Sequence, residues 1–88
     1  MKAIITTMSE TRHEQMLVEV EKVHKTTIRT SDGSRFSVKT RRALGGLPHA
    51  GEFTARRTLT VEGTREYRDR MDRHVGTQPG DYWNIVGA

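Results

Sequence analysis

His49, Glu52 and Arg56 are the residues whose types and spacing come nearest to a reactive set. A histidine can take a proton, a glutamic acid can return one, and an arginine can hold a phosphate oxygen as charge builds on it. A small ribonuclease needs those three roles. Against this, the serines and threonines sit in no nucleophile elbow or triad context. The four histidines, His13, His24, His49 and His74, form no His-x-x-x-His pair, and there is no cysteine to join them. A metal site would have to assemble from distant parts of the chain. Gly45-Gly46 lacks the Gly-Lys-Ser/Thr of a phosphate loop. The reading is of a protein that is not an enzyme and uses no cofactor or metal, with RNA cleavage as the remote alternative.

Charge is the stronger signal. The chain carries a net charge of +4. Segment 39–57 holds five basic side chains (Lys39, Arg41, Arg42, Arg56, Arg57) and one acidic one, Glu52, so it accounts for the whole excess. The rest of the chain is balanced. A localised excess of this kind attracts phosphate or an acidic protein surface.

The elements that would position these residues are mostly strands. Lys2 to Met8 alternates, with Ala3 and Ile5 on one face and Ile4 and Thr6 on the other. Ser9 to Gln15 is polar and reads as a loop or helical turn. Met16 to Val23 resumes the alternation until Val23 breaks its parity. Either the chain turns near His24-Lys25, or a bulge near Lys22-Val23 bends one continuous strand. The absence of Gly, Asn or Asp favours the bend.

Thr26 to Thr40 reads as a hairpin whose register can be decided. A two-residue Asp32-Gly33 turn would send Ile28 and Phe36 to opposite faces. A three-residue loop, Ser31-Asp32-Gly33, sets Ile28 opposite Phe36 and Thr26 opposite Val38, and puts Gly33 where positive φ is wanted. The second register is the expected one. It leaves Arg29, Arg35 and Lys39 outside the apolar row.

Arg41 to Glu52 is an irregular loop, with Leu44 and Leu47 as its apolar residues. Phe53 to Glu62 is the next strand, with Arg57 on the apolar parity and expected to run outward to solvent. Arg65 to Val75 is a helix capped by Thr64 and stopped by Gly76, with Tyr67, Met71 and Val75, together with His74, as its apolar stripe. Glu66–Arg70 and Asp69–Arg73 are acid-before-base pairs four apart. Tyr82 to Val86 reads as a last strand, with Trp83 as a core anchor.

The run VEKVHKTTIRTSDGSRFSVKT, Val20 to Thr40, resembles small SH3-like β-barrel proteins of the kind encoded by bacteriophages. It carries a Val-x-Lys-Val-x-Lys-Thr strand (Val20, Lys22, Val23, Lys25, Thr26), an Asp32-Gly33 turn and a basic-Phe strand (Arg35, Phe36). The resemblance implies a barrel fold and no particular activity.

The expected fold is therefore mainly β. It is a small antiparallel SH3-like barrel or bent sheet of about five strands, with one short helix near the C-terminus. Length allows one domain, and 33% hydrophobic residues leave a thin core that self-association can supplement. The N-terminus has too short an apolar run for a signal peptide, and no segment is long enough to span a bilayer, so a cytoplasmic protein is expected.

The functional expectation is a non-catalytic binding module docking on a protein partner through segment 39–57. Its contact residues are Lys39, Arg41, Arg42, Leu44, Leu47, Arg56 and Arg57. Arginine with a few apolar anchors suits a protein interface. The alternative is sequence-nonspecific nucleic-acid binding through Arg29, Arg35, Lys39, Arg41, Arg42 and Arg56. Phe53 is the one aromatic in the basic segment, which argues against base stacking.

Overall fold

The computed structural model describes residues 1–44 and 55–88. In chain order these form β1 (Lys2–Met8), β2 (His13–Val23), β3 (Thr27–Thr30), β4 (Arg35–Ser37), β5 (Arg56–Val61) and α1 (Arg65–His74). All named strand pairs are antiparallel, in the order β4-β3-β2-β1-β5. Residues 41–44 then bridge the two edges. Phe36 pairs with Ala43, and Arg42 with Thr58. Ser37 N donates to the Arg42 carbonyl at 2.9 Å, and Ala43 N to the Arg57 carbonyl at 3.0 Å. The sheet is thereby nearly closed into a small SH3-like barrel with one short helix near the C-terminus, which is the fold expected.

Alternation sorts the side chains. Ala3, Ile5, Val18, Ile28, Phe36, Leu59 and Val61 point inward and make the barrel core, with Val20, Val38 and Ala43 packed at its margin. The opposite parity of β1 and β2 is not all solvent-facing. Ile4, Thr6 and Gln15 are buried on the outer side, where α1 and the residues after it lie. Arg70 Nη1 donates to Gln15 Oε1 at 2.7 Å. This second layer explains why β1 carries apolar residues on both parities.

The β3–β4 hairpin has the expected register. Ile28 lies opposite Phe36, Arg29 opposite Arg35, and Val38 N donates to the Thr26 carbonyl at 3.0 Å. Residues 31–33 form the loop, and Gly33 sits at φ +88°, a conformation costly for any side chain.

Four expectations are corrected. β2 begins at His13, so residues 13–15 are strand. Between β2 and β3 the chain does turn: Val23 pairs with Ile28, and His24 N donates to the Thr27 carbonyl at 2.7 Å. A register shift between Val20 and Lys22 adds a bulge as well. Both devices are present, where a bend alone was expected. Val75 is 78% exposed and leaves the helical stripe, because the backbone turns out of the helix there, at ψ 126°. Tyr67, Arg70, Met71 and His74 form the half-buried face instead. Residues 82–86 are turns and a single parallel bridge, Val86 to Met16, not a strand. No helix among the described residues is long and apolar enough to cross a membrane.

Candidate functional site

The basic residues of segment 39–57 separate into two groups once the strands are in place. After β4 the chain reverses through Val38–Thr40. Ser37 Oγ accepts from the backbone N of Lys39 and of Thr40, each at 3.2 Å, and Arg41 N donates to the Ser37 carbonyl at 2.9 Å. Arg41 completes the reversal at φ +61°, and its Nε donates to the Val38 carbonyl at 3.0 Å. Its side chain fastens the turn. Lys39 is exposed at the tip.

Arg57 is also structural. It does not run out to solvent. It shares the inward parity of Leu59 and closes one end of the barrel, its guanidinium 5.9 Å from the centroid of the Phe36 ring. Its Nη2 donates to Asp32 Oδ2 at 3.2 Å and to Ser34 Oγ at 2.9 Å. Asp32 also accepts from Thr30 Oγ1, from Ser34 N at 3.1 Å and from Ser34 Oγ at 2.8 Å. Burial alone would raise the Asp32 pKa. The hydrogen bonds from Thr30 and Ser34 and the charge of Arg57 outweigh it, and the net pKa lies below the ordinary value.

A prediction follows from that pair. A carboxylate with a depressed folded pKa stabilises the fold above its unfolded value, 3.8, and loses that contribution as pH falls through the folded one. Arg57→Ala should cost about 1–2 kcal/mol at neutral pH, a charged hydrogen bond discounted for partial exposure. The cost should shrink once acid protonates Asp32. Urea denaturation of wild type and variant at neutral pH and below that window measures it; a cost independent of pH would contradict the pairing.

The second group faces outward. Arg42 lies opposite Thr58, on the opposite parity to the inward Ala43. Arg56, two residues from Thr58, shares that outer side. Arg29 and Arg35 are opposite each other on β3 and β4, outward because Ile28 and Phe36 point in. Arg29, Arg35, Arg42 and Arg56 are all exposed. They step across β3, β4, the bridging segment and β5. Directly opposed pairs bring Cβ atoms to about 5 Å and diagonal pairs to about 7–8 Å. Arg29 is shared with Glu21 at 3.7 Å, whereas Arg35, Arg42 and Arg56 make no ion pair among the described residues. Neighbouring like charges of this kind oppose the fold and favour an anion laid across them.

The same outer side continues into a group that sequence reasoning missed. Arg56 is opposite Met8, and Met8 is opposite His13. The His13 ring stacks on Tyr82, centroids 3.8 Å apart and planes 13° from parallel. Trp83 meets Tyr82 edge-on at 5.1 Å, and the Arg73 guanidinium lies 4.5 Å over the Trp83 ring. Trp83 is half-buried and not a core anchor; Ile85 is the anchor of this segment. Burial, with the nearby Arg70 charge, holds the His13 pKa below its ordinary value, against the opposing pull of the Tyr82 carbonyl. Neither helical pair closes an ion pair among the described residues, because Arg70 reaches Gln15 and Arg73 covers Trp83.

Of the remaining candidates, Leu44 is 41% exposed beside Arg35. Leu47, His49 and Glu52 lie outside the described residues, and so does any meeting of His49 and Glu52 with Arg56. No group of three or more His, Cys, Asp or Glu among the described residues is placed to hold a metal ion. Compared with protein-family models, curated proteins and solved structures, the chain matches none. Its interpretation rests on its own chemistry.

Proposed function

We propose that this protein is a non-catalytic nucleic-acid-binding module that contacts the sugar–phosphate backbone through Arg29, Arg35, Arg42 and Arg56. The observation that carries the reading is the row of four exposed arginines on adjacent strand segments, three of them without an ion pair among the described residues. A polyanion satisfies such a row; an isolated carboxylate satisfies one member of it. Guanidinium groups suit phosphate because their paired N–H donors match two of its oxygens. Lys39 at the adjoining turn adds charge. Arg41, tied to the Val38 carbonyl, has the smaller part. The protein-docking surface is favoured less, because its apolar half depends on Leu47.

Backbone binding releases counterions, so affinity falls with salt by a slope of about 0.9 per duplex phosphate neutralised and about 0.7 on a single strand. Arg35→Ala with Arg42→Ala should weaken binding to all sequences alike and flatten that slope by about 0.7–0.9 per arginine removed. Fluorescence anisotropy across a salt series measures both. Unchanged slopes, or no DNA or RNA binding at low salt, would sink the assignment.

A further inference from the structure

The arginine row does not end at β5, and what it runs into has the chemistry of a base. Arg56, Met8 and His13 are successive neighbours across the outer side of β5, β1 and β2. Two strand spacings, about 10 Å, separate Arg56 from His13. Tyr82 covers His13 as an outer parallel ring and is itself 55% exposed. Trp83 braces Tyr82 edge-on, and Arg73 caps Trp83. The platform is also held from behind. Ile85 is 1% exposed, its backbone N donates to His74 Nδ1 at 2.9 Å, and Val86 is bonded in both directions to β2. An exposed tyrosine on such a support is pre-ordered, so a planar ligand need not first immobilise it.

We infer that the Tyr82 ring, stacked on His13, is a stacking site for an unpaired base, and that the ligand of the arginine row is a single-stranded nucleic acid. This rests on the preceding assignment of the arginines to phosphate. Bases are accessible to such a ring when they are unpaired, since in a duplex their faces are stacked on each other. Arg56, two strands from His13, and Arg73, over the Trp83 ring, give the strand cations near the stacked base. Burial and the Arg70 charge lower the His13 pKa, which favours the uncharged ring in the stack. The His13–Tyr82 pair supplies the aromatic component that the basic segment itself lacks.

The test uses the full chain and three labelled probes: an oligothymidylate of about 10 nucleotides, an abasic strand with the same phosphates, and a duplex of the same length. Wild type should bind the base-bearing strand about tenfold or more tighter than the abasic one, the size of one stacked base. Binding should also shift the emission of Trp83, the single tryptophan. Tyr82→Ala should remove the preference while leaving the salt slope intact, and Tyr82→Phe should retain it. Should Tyr82→Ala disturb the free fold, Tyr82→Leu, which keeps bulk over His13, should lose the preference in the same way. Equal affinity for abasic and base-bearing strands, or a preference that survives Tyr82→Leu, overturns the stacking site and leaves the arginine row standing. Binding of none of the probes at low salt overturns both.

Discussion

Phe36→Ala should remove a large share of the barrel's stability. Phe36 is fully buried and lies at the meeting of three elements. It pairs with Ile28 on β3 and with Ala43 on the bridging segment, and Arg57 reaches over its ring from β5. Removing a buried phenyl ring costs about 3–5 kcal/mol, the lost transfer energy plus that of the cavity. Domains of this size have about 5–15 kcal/mol in all, and among the described residues seven make the central core. The small β3 and β4 strands offer few other contacts to close the gap. The expected observation is a fall in melting temperature of about 10 °C or more, at about 4–8 °C per kcal/mol, the far-UV β signal being lost at that lower temperature. A variant within about 1 kcal/mol of wild type would show that barrel closure does not depend on this ring.

The part of the fold around Phe36 was legible in the sequence because parity and turn chemistry agreed. Of a two-residue and a three-residue loop, the three-residue one puts Ile28 and Phe36 on the same face, and Gly33 takes the positive φ that this loop wants. Where a second layer intervenes, parity misleads. YWNIV alternates like a strand, yet strand pairing needs an open edge of matching length. β3 covers the far end of β2 only, so His13 to Leu17 keeps a short free edge. The chain fills it with one residue, Val86, bonded to Gln15 and Leu17. Trp83 was misplaced for a related reason: Ile85 takes the buried position, and its neighbours are left on the rim. The arginines divided by parity. Arg57 follows the inward face and is consumed by Asp32, and Arg42 follows the outward one. Nothing local in the sequence pairs His13 with Tyr82, because 69 positions separate them and α1 brings them together. The stacked pair is a tertiary product, and composition or spacing carries no signal for it.

Ile85→Ala should detach the segment after α1 without unfolding the barrel core. Ile85 is the one buried apolar side chain of that segment, and it is absent from the central cluster. Truncating a buried isoleucine to alanine costs about 2–5 kcal/mol. Locally the remaining ties are few: the Ile85 N–His74 bond, the Thr77 bonds to the His74 carbonyl, two backbone bonds at Val86, the aromatic contacts of Tyr82 and Trp83, and Arg73 over the Trp83 ring. Each hydrogen bond contributes about 1 kcal/mol net, so the loss rivals what is left. The segment should then open at lower denaturant concentration than the sheet. Two probes separate these events, Trp83 emission for the segment and far-UV circular dichroism for the strands. In wild type their transitions should coincide; in Ile85→Ala the Trp83 transition should come first, with its emission already shifted toward that of a solvated ring. Coincident transitions in the variant would mean that the outer layer and the barrel unfold as one unit. A detached segment also carries Tyr82 away from His13. Ile85→Ala should therefore abolish the preference for base-bearing over abasic strands while the salt slope set by the arginines persists.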